Sequence, residues 1–173
     1  MSVDPSKLRI LAYPAEALRR TAAPVAAIDE TVRRVAERMI ELMHEADGVG
    51  LAAPQVGLPW RLFVTGGAPV GGEDLVYINP RFVRLEGELV ASEEGCLSLP
   101  GIRAEIRRPP SATITATDPA GQSFTRSDDG FLARVWQHEQ DHLDGVLILD
   151  RMTPIDRIAT RRAVRKLVLA AEE

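Results

Sequence analysis

The stretch Gln137-His138-Glu139-Gln140-Asp141-His142-Leu143-Asp144-Gly145 constrains this chain more than any other, because it holds two of the three histidines among 173 residues. Positions four apart on a helix stand one turn above each other, so His138 and His142 can turn their imidazoles to one metal ion while Glu139 sits beside them. Ser127, Asp128 and Asp129 offer oxygens to cap the start of such a helix, and Gly145 marks its end. Leu132, Val135, Trp136 and Leu143 recur at helical spacing, which places Glu139 inside the apolar arc and the histidines along its edge. A carboxylate in that position is costly unless it has a partner or a task.

The rest of the chain reads as one domain, 1–173, with 45% hydrophobic residues to build a single core. The net charge of −4 gives no global attraction to DNA or to an anionic membrane. The start Met1-Ser2-Val3-Asp4-Pro5-Ser6 lacks a signal-peptide pattern, and no apolar run reaches the roughly 18 residues of a membrane span. The expected location is therefore cytoplasmic. Cys96 is the only cysteine, which excludes an intramolecular disulfide and leaves its thiol for packing or for coordination.

Residues 7–28, with Pro14 and Pro24, read as an extended arm that wraps the domain. Asp29 caps a surface helix whose apolar positions are Val32, Val35, Ala36, Met39, Met43 and Ala46, and His44 falls on its charged, solvated side. The stretch Gly48-Val49-Gly50-Leu51-Ala52-Ala53-Pro54-Gln55-Val56-Gly57 permits close backbone approach, offers Gln55 as its polar side chain, and lacks the pattern of a phosphate-binding loop. Strands are expected at 61–65, 75–79, 82–91, 102–106, 111–117 and 122–126, with 66–72 a mobile hairpin loop. Between them lies Glu93-Glu94-Gly95-Cys96-Leu97-Ser98-Leu99-Pro100-Gly101. After the histidine helix come 146–149 and a helix from Pro154 to about Ala171. The fold class is α+β, with mixed, largely antiparallel strands around a buried helix carrying the metal site, an N-terminal surface helix and a C-terminal helix.

Cys96, His138 and His142 supply a thiolate and two imidazoles and leave a fourth tetrahedral position for water, the layout of a catalytic centre. Glu139 is then placed as general base. Taken in order, Gly48-Val49-Gly50-Leu51-Ala52-Ala53-Pro54-Gln55, Glu94-Gly95-Cys96-Leu97-Ser98-Leu99-Pro100 and Gln137-His138-Glu139-Gln140-Asp141-His142-Leu143 resemble the three signature motifs of the peptide deformylases of bacteria and organelles. The resemblance spans nearly the whole chain. It implies removal of the formyl group from the N-terminal formyl-methionine of nascent polypeptides, with release of formate. It assigns oxyanion stabilisation to the Gln55 amide and the Leu97 backbone N–H, and peptide pairing to Gly50. It also implies Fe²⁺ as the native metal, with Zn²⁺, Ni²⁺ or Co²⁺ able to substitute, and a position at the ribosomal exit.

Val49, Phe131 and Val135 are candidates for the wall of a methionine pocket, with ordinary core as the alternative. Two departures stand out: Pro14-Ala15-Glu16 replaces a frequent Pro-Asp-Pro, and Trp136 is bulkier than the aliphatic residue common before Gln137. A metallopeptidase using the same two-histidine chemistry, or a non-enzymatic metal- or partner-binding relative, are the competing functions. On the last helix Arg157, Arg161 and Arg165 form a stripe, with Ala159, Ala163, Leu167 and Ala170 on another side. That stripe is either a solvated face or a contact for ribosomal RNA.

Overall fold

Alternation within two short strands determines how the layers stack in this computed structural model, which describes residues 3–172. Met1 and Ser2, read above as part of an unexported start, lie outside the described residues, as does Glu173. Strand β2 (Leu62–Thr65) sends Leu62 and Val64 to one face and Phe63 to the other, and β3 (Leu75–Glu86) does the same with Val76 and Ile78 against Tyr77. Helix α1 (Glu30–Glu45) covers the first face with Val32, Val35, Met39 and Met43, and the Asp29 side chain caps it by accepting from the Val32 N–H at 2.9 Å. The second face receives α2 (Phe131–Leu143), the histidine helix, through Ala133, Trp136 and Leu143.

Five antiparallel strands make this sheet in the order β1 (Gly50–Ala52), β2, β3, β6 (Ser111–Thr117), β7 (Ser123–Asp128), which leaves β1 as an edge. A separate antiparallel pair, β4 (Val90–Gly95) and β5 (Arg103–Arg108), lies on the other side of α2. Ile102, Ala104 and Ile106 there pack against the short helix α3 (Ile148–Arg151) and against Ala163, Val164 and Leu167 of α4 (Pro154–Ala170). Helix α2 is thus enclosed, and the α+β class stands.

Trp136 is fully buried and faces the large sheet, away from the histidines. Its indole N–H donates to the Tyr77 hydroxyl at 2.9 Å, and Tyr77 stacks on Phe63 with ring centroids 4.6 Å apart. Burying an aromatic of this size contributes about 1.5–3 kcal/mol, so the bulky residue is a core anchor.

Several element boundaries differ from expectation. The segments 75–79 and 82–91 do not form two strands. Instead, β3 runs unbroken through Pro80, with Asn79 at φ 51° and a register shift against β6 absorbing the proline, and a turn with Gly87 at φ 95° separates β3 from β4. Of residues 146–149, Ile148 and Leu149 open α3 and Leu147 is its N-cap. The loop at 66–72 contains a short 3₁₀ turn, Ala68–Val70, and beyond it Glu73 accepts from Arg126 and Asp74 pairs with His44 at 2.8 Å. His44 is therefore exposed yet paired. On α4 the packed face is Ala163, Val164 and Leu167, whereas Ala159 and Ala170 are exposed. The expected apolar side was rotated because the alanines carry too little apolar area to decide which face docks.

The arm is extended, with 3₁₀ turns at Pro5–Lys7 and Glu16–Arg19. Its Ala22 N–H donates to the Leu143 carbonyl at the end of α2, and Gly145, at φ 73°, lies so close to the Arg19 carbonyl that a Cβ would come within 2.6 Å of it. Among the described residues no helix is long and apolar enough to cross a membrane.

Candidate active site

Helix α2 does not begin with the side-chain cap of its own first residue. Gly130 occupies the cap, and Asp128, the last residue of β7, reaches over it to accept from the Gly130 and Ala133 N–H groups at 2.9 Å each. Of the three expected capping residues, Asp128 makes these bonds, and Ser127 bonds Thr113 across the strands at 2.8 Å. This fixes the helix against the sheet and points His138, Glu139 and His142 towards β4 and β1.

There the donor atoms of Cys96, His138 and His142 lie within 4.8 Å of one another, with Cys96 Sγ 3.3 Å from His142 Nε2. His138 Nδ1 donates to Glu94 Oε2 at 3.0 Å, so its Nε2 is the nitrogen left to face the thiol. Burial alone would push the His138 imidazole down, but hydrogen bonds with Cys96 and Glu94, and the negative charge of Glu139, hold it well above its ordinary value. His142 moves the other way, well below its ordinary value, because burial and the His138 and Arg108 charges all disfavour its protonation.

Glu139 is 3% exposed, and burial pushes its carboxyl up to about 7, with His138 opposing and Glu94 adding to the rise. Its Oε2 is buried and has no hydrogen-bond partner among the described residues. Leaving such an oxygen unsatisfied costs about 1–3 kcal/mol unless something entering the cleft completes it. That orphaned oxygen, beside one thiol and two imidazoles, fits a divalent ion with a water at its open position. The other side of Glu139 is closed by Gly50, where a Cβ would come within 2.4 Å of Oε1.

The cleft above this cluster measures about 620 Å³, and Val49, Gly50, Gln55, Cys96, Leu97, Phe131, Val135, His138 and Glu139 all line it. His142, 1% exposed, is buried beneath. Gln55 accepts the Ala52 N–H on its Oε1 at 2.9 Å, which turns its Nε2 to Ser98 Oγ at 3.2 Å and towards Cys96 Sγ at 3.6 Å. Val135 is buried, Val49 half-buried, and Phe131, half exposed, stands at the mouth. The cleft runs between the edge strand β1 and strand β4, so an extended peptide would find main-chain groups beside it.

Sequence reasoning assigned no role to the groups that hold the cluster. Glu94 accepts from Arg108 Nε at 2.6 Å and Nη2 at 2.9 Å, and from Arg134 Nη1 at 2.8 Å. Burial would raise the Glu94 carboxyl, yet the hydrogen bonds from His138 and Arg108, with their charges, bring it well below the usual carboxylate range. Arg108 is 3% exposed, and its alternation with Ala104 and Ile106 on the inward face of β5 was the one signal in the sequence, since a buried arginine almost always has partners.

The family description Polypeptide deformylase matches residues 7–158. The chain is 43% identical over 154 residues to the peptide deformylase of Thermotoga maritima, covering 89% of this chain and 92% of that one. It is 43% identical over 148 residues to the chloroplastic/mitochondrial peptide deformylase 1B of Arabidopsis thaliana, covering 84% of this chain and 54% of that longer protein. A plant peptide deformylase crystal structure superposes with a TM-score of 0.93 at 38% identity, over 99% of this chain and 94% of the other. The match runs from the arm through both sheets and the three motifs that meet in the cleft, and on that ground the chain belongs to the polypeptide deformylase family.

Proposed function

We infer that this protein is a metal-dependent hydrolase that removes the N-formyl group from the formyl-methionine of nascent polypeptides and releases formate. The observation that carries this reading is the convergence, in one peptide-sized cleft, of the Cys96/His138/His142 donor set with a buried carboxylate whose Oε2 has no hydrogen-bond partner among the described residues. A structural zinc site would close with a fourth protein donor, and among the described residues only these three side chains form such a group.

Cys96, His138 and His142 would hold a divalent ion, which when bound would supply Lewis acidity to a water and to the formyl oxygen. Glu139 takes the proton lost by the attacking water and delivers it to the amine nitrogen as the C–N bond breaks, a shuttle suited to a carboxyl lifted by burial. Gln55, held by Ala52 and Ser98, offers its Nε2–H towards the site, and the Leu97 N–H provides a second donor for the oxyanion. Gly50, on the edge of β1, pairs with the peptide backbone, and Val49, Phe131 and Val135 meet the methionine side chain.

The family resemblance makes Fe²⁺ the native ion; a thiolate with two imidazoles suits Fe²⁺ and Zn²⁺ alike, and Zn²⁺, Ni²⁺ or Co²⁺ can take its place. Thiolate and Fe²⁺ both oxidise, so the iron form should lose activity in air while the nickel form persists. The substrate emerges from the ribosome in the cytoplasm, and the exposed Arg161, Arg162, Arg165 and Lys166 of α4 offer a basic face for ribosomal RNA.

Stripping the metal with a chelator and restoring it anaerobically tests the reading. Formate release from a formyl-Met peptide should vanish and return with Fe²⁺ or Ni²⁺. Formate release that survives complete metal removal overturns it.

A further inference from the structure

Outside the cleft, α2 and β5 enclose a chain of charges that ends on a half-exposed arginine. Arg151, at the end of α3, grips Asp141 with two N–H groups, Nε to Oδ2 at 2.6 Å and Nη2 to Oδ1 at 2.6 Å. Asp141 Oδ2 also accepts from Arg108 Nη1 at 2.9 Å, and the remaining fork of Arg108 holds Glu94, which fixes His138 Nδ1. The side chains of Arg108, Glu94 and Asp141 are 3%, 6% and 11% exposed, whereas that of Arg151 is 43% exposed.

We propose that Arg151 is a positioning residue for the metal centre: by saturating Asp141 it leaves Arg108 free to hold Glu94, and through Glu94 it sets the orientation of the His138 ligand. This rests on the metal-centre reading above. Glu94 is paired with both Arg108 and Arg134, whereas Asp141 is paired with Arg108 and Arg151, so removing Arg151 leaves Arg108 as the one guanidinium on Asp141 among the described residues. Without Arg151 the Arg108 fork is drawn towards Asp141, Glu94 loses part of its grip, and the imidazole is free to turn. Arg134 also bonds Glu94, but on Oε1, whereas Oε2, the oxygen that accepts from His138 Nδ1, is held by Arg108 Nη2.

The experiment loads the full-length protein with Co²⁺ and follows its release into excess EDTA by the visible absorption of the thiolate-bound ion. Arg151→Met keeps an unbranched apolar stem and removes the guanidinium fork, and Arg151→Lys keeps the charge. Arg61→Met is the control, because Arg61 pairs with Asp144 Oδ1 at 2.9 Å at the end of the same helix without touching Asp141.

Direct outer-shell partners of a ligand typically change metal affinity about 10–100-fold, and Arg151 acts three links beyond Glu94. Release should therefore quicken about three- to tenfold in Arg151→Met and less in Arg151→Lys, and stay unchanged in Arg61→Met. Wild-type release from Arg151→Met, or equal acceleration in Arg61→Met, overturns the proposal, the second outcome meaning that any loosening of α2 has the same effect. A wild-type protein that holds no Co²⁺ overturns the metal reading itself.

Discussion

Glu139 shows at a single position how burial and chemistry bear on each other. Its carboxyl is lifted to about 7 by burial, its Oε2 has no hydrogen-bond partner among the described residues, and Gly50 closes the other side. Glu139→Gln preserves the shape but cannot accept a proton, so metal content should stay at the wild-type level while turnover falls by about 10²–10⁴-fold, read by metal analysis and formate release on the same sample. Gly50→Ala tests the opposite wall. Its Cβ would lie within 2.4 Å of Glu139 Oε1, so the carboxylate must swing away, and kcat should drop at least about tenfold with the three metal donors intact. The donors themselves were legible in the sequence, because two histidines four apart on an amphipathic helix need only local geometry and the single cysteine had no rival. Glu94 and Arg108 were not legible as a pair. They meet only because β4 and β5 fold back on each other, and nothing in the local pattern of either segment announces the partner.

Among the elements, α2 depends on its entry from β7. Asp128 accepts two N–H groups at the start of the helix, so Asp128→Ala should cost about 0.5–2 kcal/mol in urea unfolding while leaving the kcat of the metal-loaded protein near wild type, since Asp128 lies outside the cleft. The sequence placed the cap within Ser127–Asp129 but could not choose among three polar neighbours, a choice made by the register of β7 against β6. Strand β3 was misread for a related reason. Pro80 and the turn residue Gly87 both look like breaks, yet only Gly87 acts as one, because the register shift opposite Pro80 absorbs it without ending the strand. Helix α1 was read correctly in its Asp29 cap and in its stripe from Val32 to Met43, since its partner face is a continuous sheet, but Ala46 is exposed at the C-cap and Leu42 joins the core instead.

For the whole molecule, the order of the layers explains why the site is where it is: α2 is held by the large sheet on one side and by β4–β5 on the other, and its histidine edge looks out through the gap between β1 and β4. Helix α4 docks on β5 and turns its arginines outward, but Arg157 also donates to the Asp150 carbonyl at 3.2 Å, so it has a structural duty as well. Arg161→Glu with Arg165→Glu isolates the exposed part of the stripe. Salt-sensitive binding to ribosomes should be lost, each phosphate contact contributing about one unit to the slope of log affinity against log salt, while hydrolysis of a short formylated peptide stays within about twofold. Unchanged ribosome affinity would make the stripe a solvated face. Whether this centre cleaves a formyl C–N bond or a peptide bond is decided by mass spectrometry of a formyl-Met peptide incubated with the anaerobically iron-loaded protein. The expected product is the full-length peptide without its formyl group, together with one equivalent of formate, and a shortened peptide that keeps its formyl group would overturn the deformylase reading.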